Sequence, residues 1–120
     1  MTLADSVRNR LALTVSPMDL LFELKKHPDD ILIIDVRNAP DNIKKERIRG
    51  AVSIPQNRIQ QSLNQIDRNR MIVLYCWETW CNLAAKAQLT LLEAGYNNVR
   101  ELSGGIAAWK ALSLDTEELV

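Results

Sequence analysis

Apolar residues occur along the chain in short continuous runs that are separated by helical repeats. The runs at 31–34 and 71–75 read Ile-Leu-Ile-Ile and Met-Ile-Val-Leu-Tyr, which predicts strands buried on both faces. Shorter runs at 13–15, 51–54 and 99–102 predict three further strands. Because helical patterns fill the segments between these runs, we expect an α/β fold: a mostly parallel five-stranded sheet with helices on both faces.

The segments between the strands carry helix signals of different strength. Ser16 and Pro17 predict a helix start, and Pro28 predicts its end. The apolar positions Ile59, Leu63 and Ile66 predict a short amphipathic helix. Residues 82–94 have few polar positions, so we expect a largely buried helix that stops at Gly95; a short closing helix follows over 106–110.

The length of 120 residues predicts one domain over residues 1–120. Residues 1–12 form either a short helix or a flexible N-terminal extension, since their pattern supports both. Residues 113–120 are acidic, and we expect a frayed tail there.

Composition narrows the class of function. Hydrophobic residues make up 47% and charged residues 25% of the chain, and 15 basic residues balance 15 acidic ones. This balance removes the usual electrostatic case for binding nucleic acid or an anionic membrane. The N-terminal residues lack the apolar core of a signal peptide, so we expect a cytoplasmic protein with reduced thiols.

The candidate chemistry lies directly after the apolar run 71–75. Cys76 stands at the predicted end of that strand, facing the start of the next helix. Backbone N–H groups of a curled loop and the helix dipole would lower the pKa of its thiol into the range of about 3.5–7.5. The alternative is an inert, buried small residue.

Other candidate groups are few. His27, the only histidine, stands at an exposed helix end, where it is typical of a surface residue that complements the helix dipole. With two cysteines and one distant histidine, we expect no metal site and no cofactor. Asp35 ends the strand predicted at 31–34, either as an anchor for loops over the sheet or as an acid or base.

Several motifs occur together in one order along the chain. They are Asp35-Val36-Arg37, Gly50-Ala51-Val52-Ser53-Ile54-Pro55, Tyr75-Cys76 followed by six loop residues and a helix of small residues, and Leu102-Ser103-Gly104-Gly105-Ile106-Ala107-Ala108-Trp109. Over residues 13–112 this arrangement resembles a single-domain rhodanese, and the joint occurrence of the motifs is far more specific than any one of them.

The resemblance implies a rhodanese-like fold and a sulfurtransferase activity. Cys76 would take a sulfane sulfur from a donor such as thiosulfate or a persulfide and pass it to cyanide or a protein thiol. It also implies that Asp35 and Arg37 brace the surrounding loops. The persulfide would be held by backbone amides of the loop, here Trp77, Glu78, Thr79, Trp80 and Cys81.

The loop departs from the pattern of that family. Thr79 stands where family loops often have glycine, Cys81 stands where they often have arginine, and Glu78 adds a negative charge. Arg47 or Arg49, which replace residues of a familiar His-Ile-Pro-Gly-Ala motif, would partly restore positive charge.

Two further functions stay open on the sequence. Cys81 is either a small packing residue or a resolving thiol that forms a disulfide with Cys76, as in a thiol–disulfide or redox-sensing module. Trp77 and Trp80 either wall a pocket or form an apolar patch for a protein partner, as in a binding module without catalysis.

Overall fold

The five predicted strands form one parallel sheet in the computed structural model, which describes residues 1–120. The strands in chain order are β1 (Thr14–Val15), β2 (Ile31–Asp35), β3 (Glu46–Ile48), β4 (Val52–Ser53), β5 (Met71–Tyr75), β6 (Val99–Leu102) and β7 (Thr116–Glu118). The sheet has the order β1-β6-β5-β2-β4, and all its pairings are parallel. The strand that leads into Cys76 therefore lies at the centre of the sheet.

Five α-helices and three short 3₁₀ segments complete the chain. The helices are α1 (Leu3–Leu13), α2 (Pro17–Lys26), α3 (Asp41–Lys44), α4 (Leu83–Glu93) and α5 (Gly105–Ala111). The 3₁₀ segments are Pro28–Asp30, Gln56–Arg58 and Gln60–Gln65. None of the helices has the length and apolar character needed to cross a membrane.

The apolar core is divided by the sheet into two clusters, as the alternation along β5 shows. Ile72 and Leu74 pack on one face with residues of α4, whereas Val73 and Tyr75 pack on the other face with residues of α2 and α5. Side chains on a strand alternate between the two faces, so a strand with both faces buried reads as a continuous apolar run. The predicted α/β architecture, with helices on both faces, is confirmed.

Both N-terminal helices begin at side-chain caps. The Ser16 hydroxyl accepts a hydrogen bond of 3.1 Å from the backbone N–H of Asp19, which confirms the predicted start of α2. Thr2 and Asp5 form a capping box at the start of α1, so residues 3–13 are helical rather than a flexible lead-in. The carbonyl at the end of α1, that of Leu13, accepts a 2.8 Å hydrogen bond from the Gln88 side chain.

Two helix predictions need correction. The segment around Ile59, Leu63 and Ile66 forms 3₁₀ turns, not an amphipathic α-helix. The Tyr96 hydroxyl lies 2.7 Å from the Leu63 carbonyl oxygen and 3.0 Å from that of Ile66, so these acceptors are bonded outside the segment. Helix α4 is not largely buried either, because Leu89 is 57% exposed and only the face containing Ala84, Ala87, Gln88 and Leu91 is covered.

The prediction of a frayed tail is wrong. Residues Thr116–Glu118 form β7, which pairs antiparallel with β3. Arg47 in β3 donates a 2.8 Å hydrogen bond to the Glu117 carboxylate. The Trp109 indole N–H donates to the Asp115 carbonyl at 2.8 Å, which joins the tail to α5. Glu117 is thus held by Arg47, which lies seventy positions earlier in the chain.

Candidate functional site

Cys76 lies at the carboxyl end of the central strand, in the first position after β5. Its side chain is 3% exposed and packs with Ala84 and Ala87 of α4 in one of the two core clusters. Reactive groups of parallel α/β folds lie at this end of the sheet. The thiol therefore lies between a strand end and a helix start, as the sequence predicts.

The loop from Cys76 to α4 reaches its shape without glycine. Its turn is closed by a 3.0 Å hydrogen bond from the backbone N–H of Cys81 to the Glu78 carbonyl. Positive φ angles among residues other than glycine occur only at Lys45 and Ser113. Thr79 thus adopts an ordinary backbone conformation, and the absence of glycine at this position introduces no left-handed strain.

Two backbone N–H groups favour the ionised form of the Cys76 thiol. They belong to Trp77 in the loop and to Ala84 in the first turn of α4, and both act to lower the pKa of the thiol. Burial opposes them, and so does the neighbouring Cys81 thiol; together these raise the pKa of Cys76 to about 12. The predicted lowering of this pKa is wrong, because desolvation of the sulfur outweighs the two amides.

The raised pKa predicts how the reactivity of Cys76 depends on pH. A thiol reacts as its thiolate, whose fraction rises about tenfold per pH unit as long as the pH lies below the pKa. Because the pKa of Cys76 is about 12, its alkylation by iodoacetamide is expected to accelerate continuously from about pH 6 to about pH 9. Peptide mass spectrometry at each pH measures this rate, and a plateau below about pH 8 would show a lowered pKa instead.

Asp35 and Arg37 form a buried ion pair next to the loop. Arg37 Nη2 lies 2.7 Å from Asp35 Oδ2, and Arg37 Nε lies 3.0 Å from Asp35 Oδ1. The side chain of Arg37 is 1% exposed and that of Asp35 is 0% exposed. The Tyr75 hydroxyl donates to Asp35 Oδ2 at 3.1 Å and accepts from the Ile48 backbone N–H at 3.0 Å. Asp35 is thus occupied as an acceptor, which favours its role as an anchor over a role as acid or base.

The same ion pair supports the loop through Trp77. The Arg37 guanidinium lies 4.6 Å from the centroid of the Trp77 ring. Arg37 also donates a 2.6 Å hydrogen bond to the carbonyl of Glu46, at the start of β3. A guanidinium over an indole face is a favourable cation–π arrangement, and it fixes the residue directly after Cys76.

A second support for the loop comes from the start of α5. The backbone N–H groups of Ile106 and Ala107 donate 3.0 Å hydrogen bonds to the carbonyls of Cys76 and Trp77. Gly105 has a φ of +60°, and a Cβ atom added to it would lie 2.7 Å from the Cys76 carbonyl oxygen. The consecutive glycines at 104 and 105 were the signal for this close approach of two backbones.

Gly105→Ala is expected to destabilise the protein by about 2–5 kcal/mol, since a positive φ costs about 1–2 kcal/mol and an overpacked contact adds about 1–3 kcal/mol. Gly50→Ala is the matched control: Gly50 has a φ of +84°, but a Cβ there would meet no atom within 4 Å. Urea unfolding of both variants measures the difference. Equal losses of stability would show that Gly105 is not in critical contact with Cys76.

The basic residues are arranged differently from the prediction. Arg47 and Arg49 bond to Glu117 and to the Thr116 carbonyl, respectively, so they bind the C-terminal segment and do not line the cavity beside the loop. That cavity, of about 200 Å³, is lined in part by Trp77, Glu78 and Trp80. Its basic residues are Arg37, Lys44 and Lys110.

Lys44 stands in the sequence in a basic stretch with Arg47 and Arg49, which could lie beside an anionic substrate, whereas no sequence pattern pointed to Lys110. The Lys110 ammonium pairs with the Glu46 carboxylate, and this hydrogen bond holds the pKa of Glu46 below its usual value. Lys44 is buried, and its ammonium lies 3.0 Å from the Ser53 hydroxyl. Lys44 enters the cavity from α3 and Lys110 from α5. Lys110 reaches the cavity because α5 packs against β3, and a contact between elements so distant in sequence has no local signal.

The two tryptophans of the loop have different environments. Trp77 is partly buried under Arg37, as a pocket wall would be, whereas Trp80 is 70% exposed. The Trp80 indole N–H lies 3.3 Å from the Glu78 carboxylate. Cys81 is partly buried and packs against the core cluster that contains Cys76.

The largest cleft of the molecule is a separate feature. It has a volume of about 670 Å³ and lies between the two N-terminal helices and the β1–β6 edge of the sheet. Leu11, Phe22 and Arg100 are among its lining residues, and none of the residues 76–81 is. The loop that contains Cys76 therefore lies outside this cleft. No group of three potential metal ligands occurs in the structure.

Comparison with known proteins identifies relatives of this chain. The sequence model of the family described as Rhodanese-like domain matches residues 20–112. A sulfurtransferase of Allochromatium vinosum is 33% identical over 81 residues, which make up 68% of this chain and 73% of the relative. The thiosulfate sulfurtransferase GlpE of Coxiella burnetii is 29% identical over 82 residues, 68% of this chain and 74% of the relative.

A solved structure shows that the likeness extends to the complete fold. The crystal structure of a full-length protein from Lactobacillus plantarum superposes with a TM-score of 0.89 at 29% sequence identity. The aligned region covers 97% of this chain and 96% of that one. The likeness therefore includes the N-terminal helix and the C-terminal segment, which lie outside residues 20–112.

Proposed function

The chain belongs to the rhodanese-like domain family, and we propose that it is a sulfurtransferase that carries a sulfane sulfur on Cys76. The observation that carries the proposal is the position of this thiol at the end of the central strand, where it packs against α4. The backbone N–H groups of Trp77 and Ala84 favour its ionised form. Relatives that are named sulfurtransferases support the reaction class.

The proposed reaction has two steps. In the first, the Cys76 thiolate attacks the sulfane sulfur of the donor; with thiosulfate, the sulfur–sulfur bond breaks and sulfite leaves with the bonding electrons. This step gives a persulfide on Cys76. In the second, an acceptor nucleophile attacks the outer sulfur, and the Cys76 thiolate is released again.

The arrangement of amides suits the intermediate more than the resting thiol. A persulfide anion extends beyond Sγ, and backbone N–H groups stabilise such an anion without a proton being gained or lost. The N-terminus of α4, an eleven-residue helix, contributes a positive dipole in the same place. Asp35 and Arg37 would act only by positioning Trp77 and the strand end.

The charges near the loop bear on the choice of donor. The three basic residues of the cavity, Arg37, Lys44 and Lys110, are already paired with the carboxylates of Asp35, Asp41 and Glu46, respectively. Glu78 adds a further carboxylate at the same cavity. Little uncompensated positive charge is left for a doubly charged anion. We therefore propose that a persulfide of low charge is a better donor than thiosulfate, and that the acceptor is a small nucleophile or a protein thiol.

Intact-mass measurement tests the proposal, with Cys81→Ser used to leave one thiol in the chain. Incubation with thiosulfate or with a low-molecular-weight persulfide is expected to add the mass of one sulfur atom. Subsequent cyanide is expected to remove it and give thiocyanate. A protein that keeps its original mass with both donors, while its fold is intact by circular dichroism, would contradict the proposed function.

A further inference from the structure

Both cysteines of the chain are free thiols and lie next to each other. The Cys76 sulfur lies 3.5 Å from the carbonyl oxygen of Cys81, so the loop folds back onto the thiol from which it starts. Cys81 packs against the apolar cluster that contains Cys76. The Cys81 thiol is also one of the groups that raise the pKa of Cys76.

We propose that Cys81 resolves a persulfide on Cys76, forming a Cys76–Cys81 disulfide and releasing the sulfane sulfur as hydrosulfide. This inference rests on the proposed function, because the persulfide must first form. It adds an activity to the transfer reaction: without an external acceptor, the protein reduces a sulfane sulfur and is itself oxidised.

The step balances within the chain. The Cys81 thiolate attacks Cys76 Sγ, the inner sulfur of the persulfide, and a bond forms between the two cysteine sulfurs. The bond from Sγ to the outer sulfur breaks, and the outer sulfur leaves with both bonding electrons. It takes up the proton that Cys81 lost and becomes hydrosulfide. Two thiols are thereby oxidised by two electrons, and one sulfane sulfur is reduced by two; a thiol reductant then restores both cysteines.

The position of Cys81 makes it a nearer nucleophile than any molecule in solution. Cys76 is 3% exposed, so an external acceptor has little access to its inner sulfur. The backbone of Cys81 is held beside the Cys76 sulfur, because its N–H closes the turn with Glu78 and its carbonyl accepts from the Cys76 thiol. A reactant fixed in contact has a high effective concentration. A disulfide also requires Cα atoms within about 7 Å, and the folded loop favours that approach.

The test compares wild type with Cys81→Ser under exclusion of oxygen, with one equivalent of a low-molecular-weight persulfide. Wild type is expected to lose the mass of two hydrogen atoms and to release one hydrosulfide per chain, measured after removal by inert gas. Cys81→Ser is expected to gain one sulfur atom and to release none. Dithiothreitol is expected to return wild type to its starting mass.

The outcomes separate this inference from the function on which it rests. If wild type keeps the sulfur on Cys76 without a disulfide, the resolving role of Cys81 is refuted while the sulfur carrier stands. If cleavage after Glu78, between the two cysteines, places the sulfur on the fragment that contains Cys81, both the resolving role and the carrier role of Cys76 are refuted. If Cys81→Ser gains no sulfur, the proposed function itself fails. Cys81→Ala serves as the second variant if Cys81→Ser does not fold.

Discussion

Cys76→Ala is expected to lower the rate of sulfur transfer to cyanide by about 10³-fold or more, because no other residue can carry the covalent intermediate. Two thiols are present in the chain, and Cys76 is the one that directly follows the central strand and packs against α4. The substitution by alanine removes the sulfur atom, and the backbone hydrogen bonds around position 76 can still form. The measurement is thiocyanate formation at saturating donor.

Cys81→Ala is the matched control for this variant, since it removes the other thiol from the same loop. Cys81→Ala is expected to keep transfer to cyanide, because the acceptor attacks the outer sulfur on Cys76, and Cys81→Ala and wild type both contain Cys76. Both variants should be shown to unfold at similar urea concentrations. Equal rates for Cys76→Ala and wild type would refute Cys76 as the sulfur carrier.

Asp35→Asn is expected to reduce the free energy of unfolding by about 3–5 kcal/mol, the usual cost of removing one partner from a buried ion pair. The change leaves the Arg37 guanidinium charged and 1% exposed, without its carboxylate. It also weakens the hydrogen bond of the Tyr75 hydroxyl, which connects the ion pair to the Ile48 backbone. Urea unfolding measures this loss of stability.

Two further variants distinguish the effect of breaking the buried ion pair from the effect of removing one negative charge. Asp29→Asn changes the same residue type at an exposed site, and its effect is expected to stay within about 0.5 kcal/mol. Adding Arg37→Met to Asp35→Asn is expected to recover part of the loss, because no buried charge is left unpaired. A loss below about 1 kcal/mol for Asp35→Asn would show that the pair does not stabilise the fold.

The sheet and its two packed faces could be predicted because their signal is local. An apolar run in the sequence predicts each strand of the sheet, and Ser16 and Pro17 predict the start of α2. The exceptions are segments whose structure depends on distant partners. Tyr96 bonds the carbonyls of the 3₁₀ segment from thirty residues away, and Arg47 binds Glu117 from the other end of the chain.

The site was predictable in position and less so in its energetics. The place of Cys76 follows from strand and helix patterns, but its pKa depends on the balance of burial against two amides. No sequence pattern gives the extent of burial of one sulfur atom. The contact of Gly105 with the Cys76 carbonyl is likewise tertiary, as is the entry of Lys110 into the cavity beside Trp77.

Peptide mass spectrometry after donor treatment tests most directly whether Cys76 carries the sulfur. The Cys81→Ser protein is treated with a persulfide donor, alkylated and digested. The peptide that contains Cys76 is expected to carry one additional sulfur atom between the cysteine and the alkyl group, and prior reduction is expected to abolish it. An ordinary alkylated Cys76 peptide, with no additional sulfur on this peptide or any other, would contradict the assignment of a sulfur carrier.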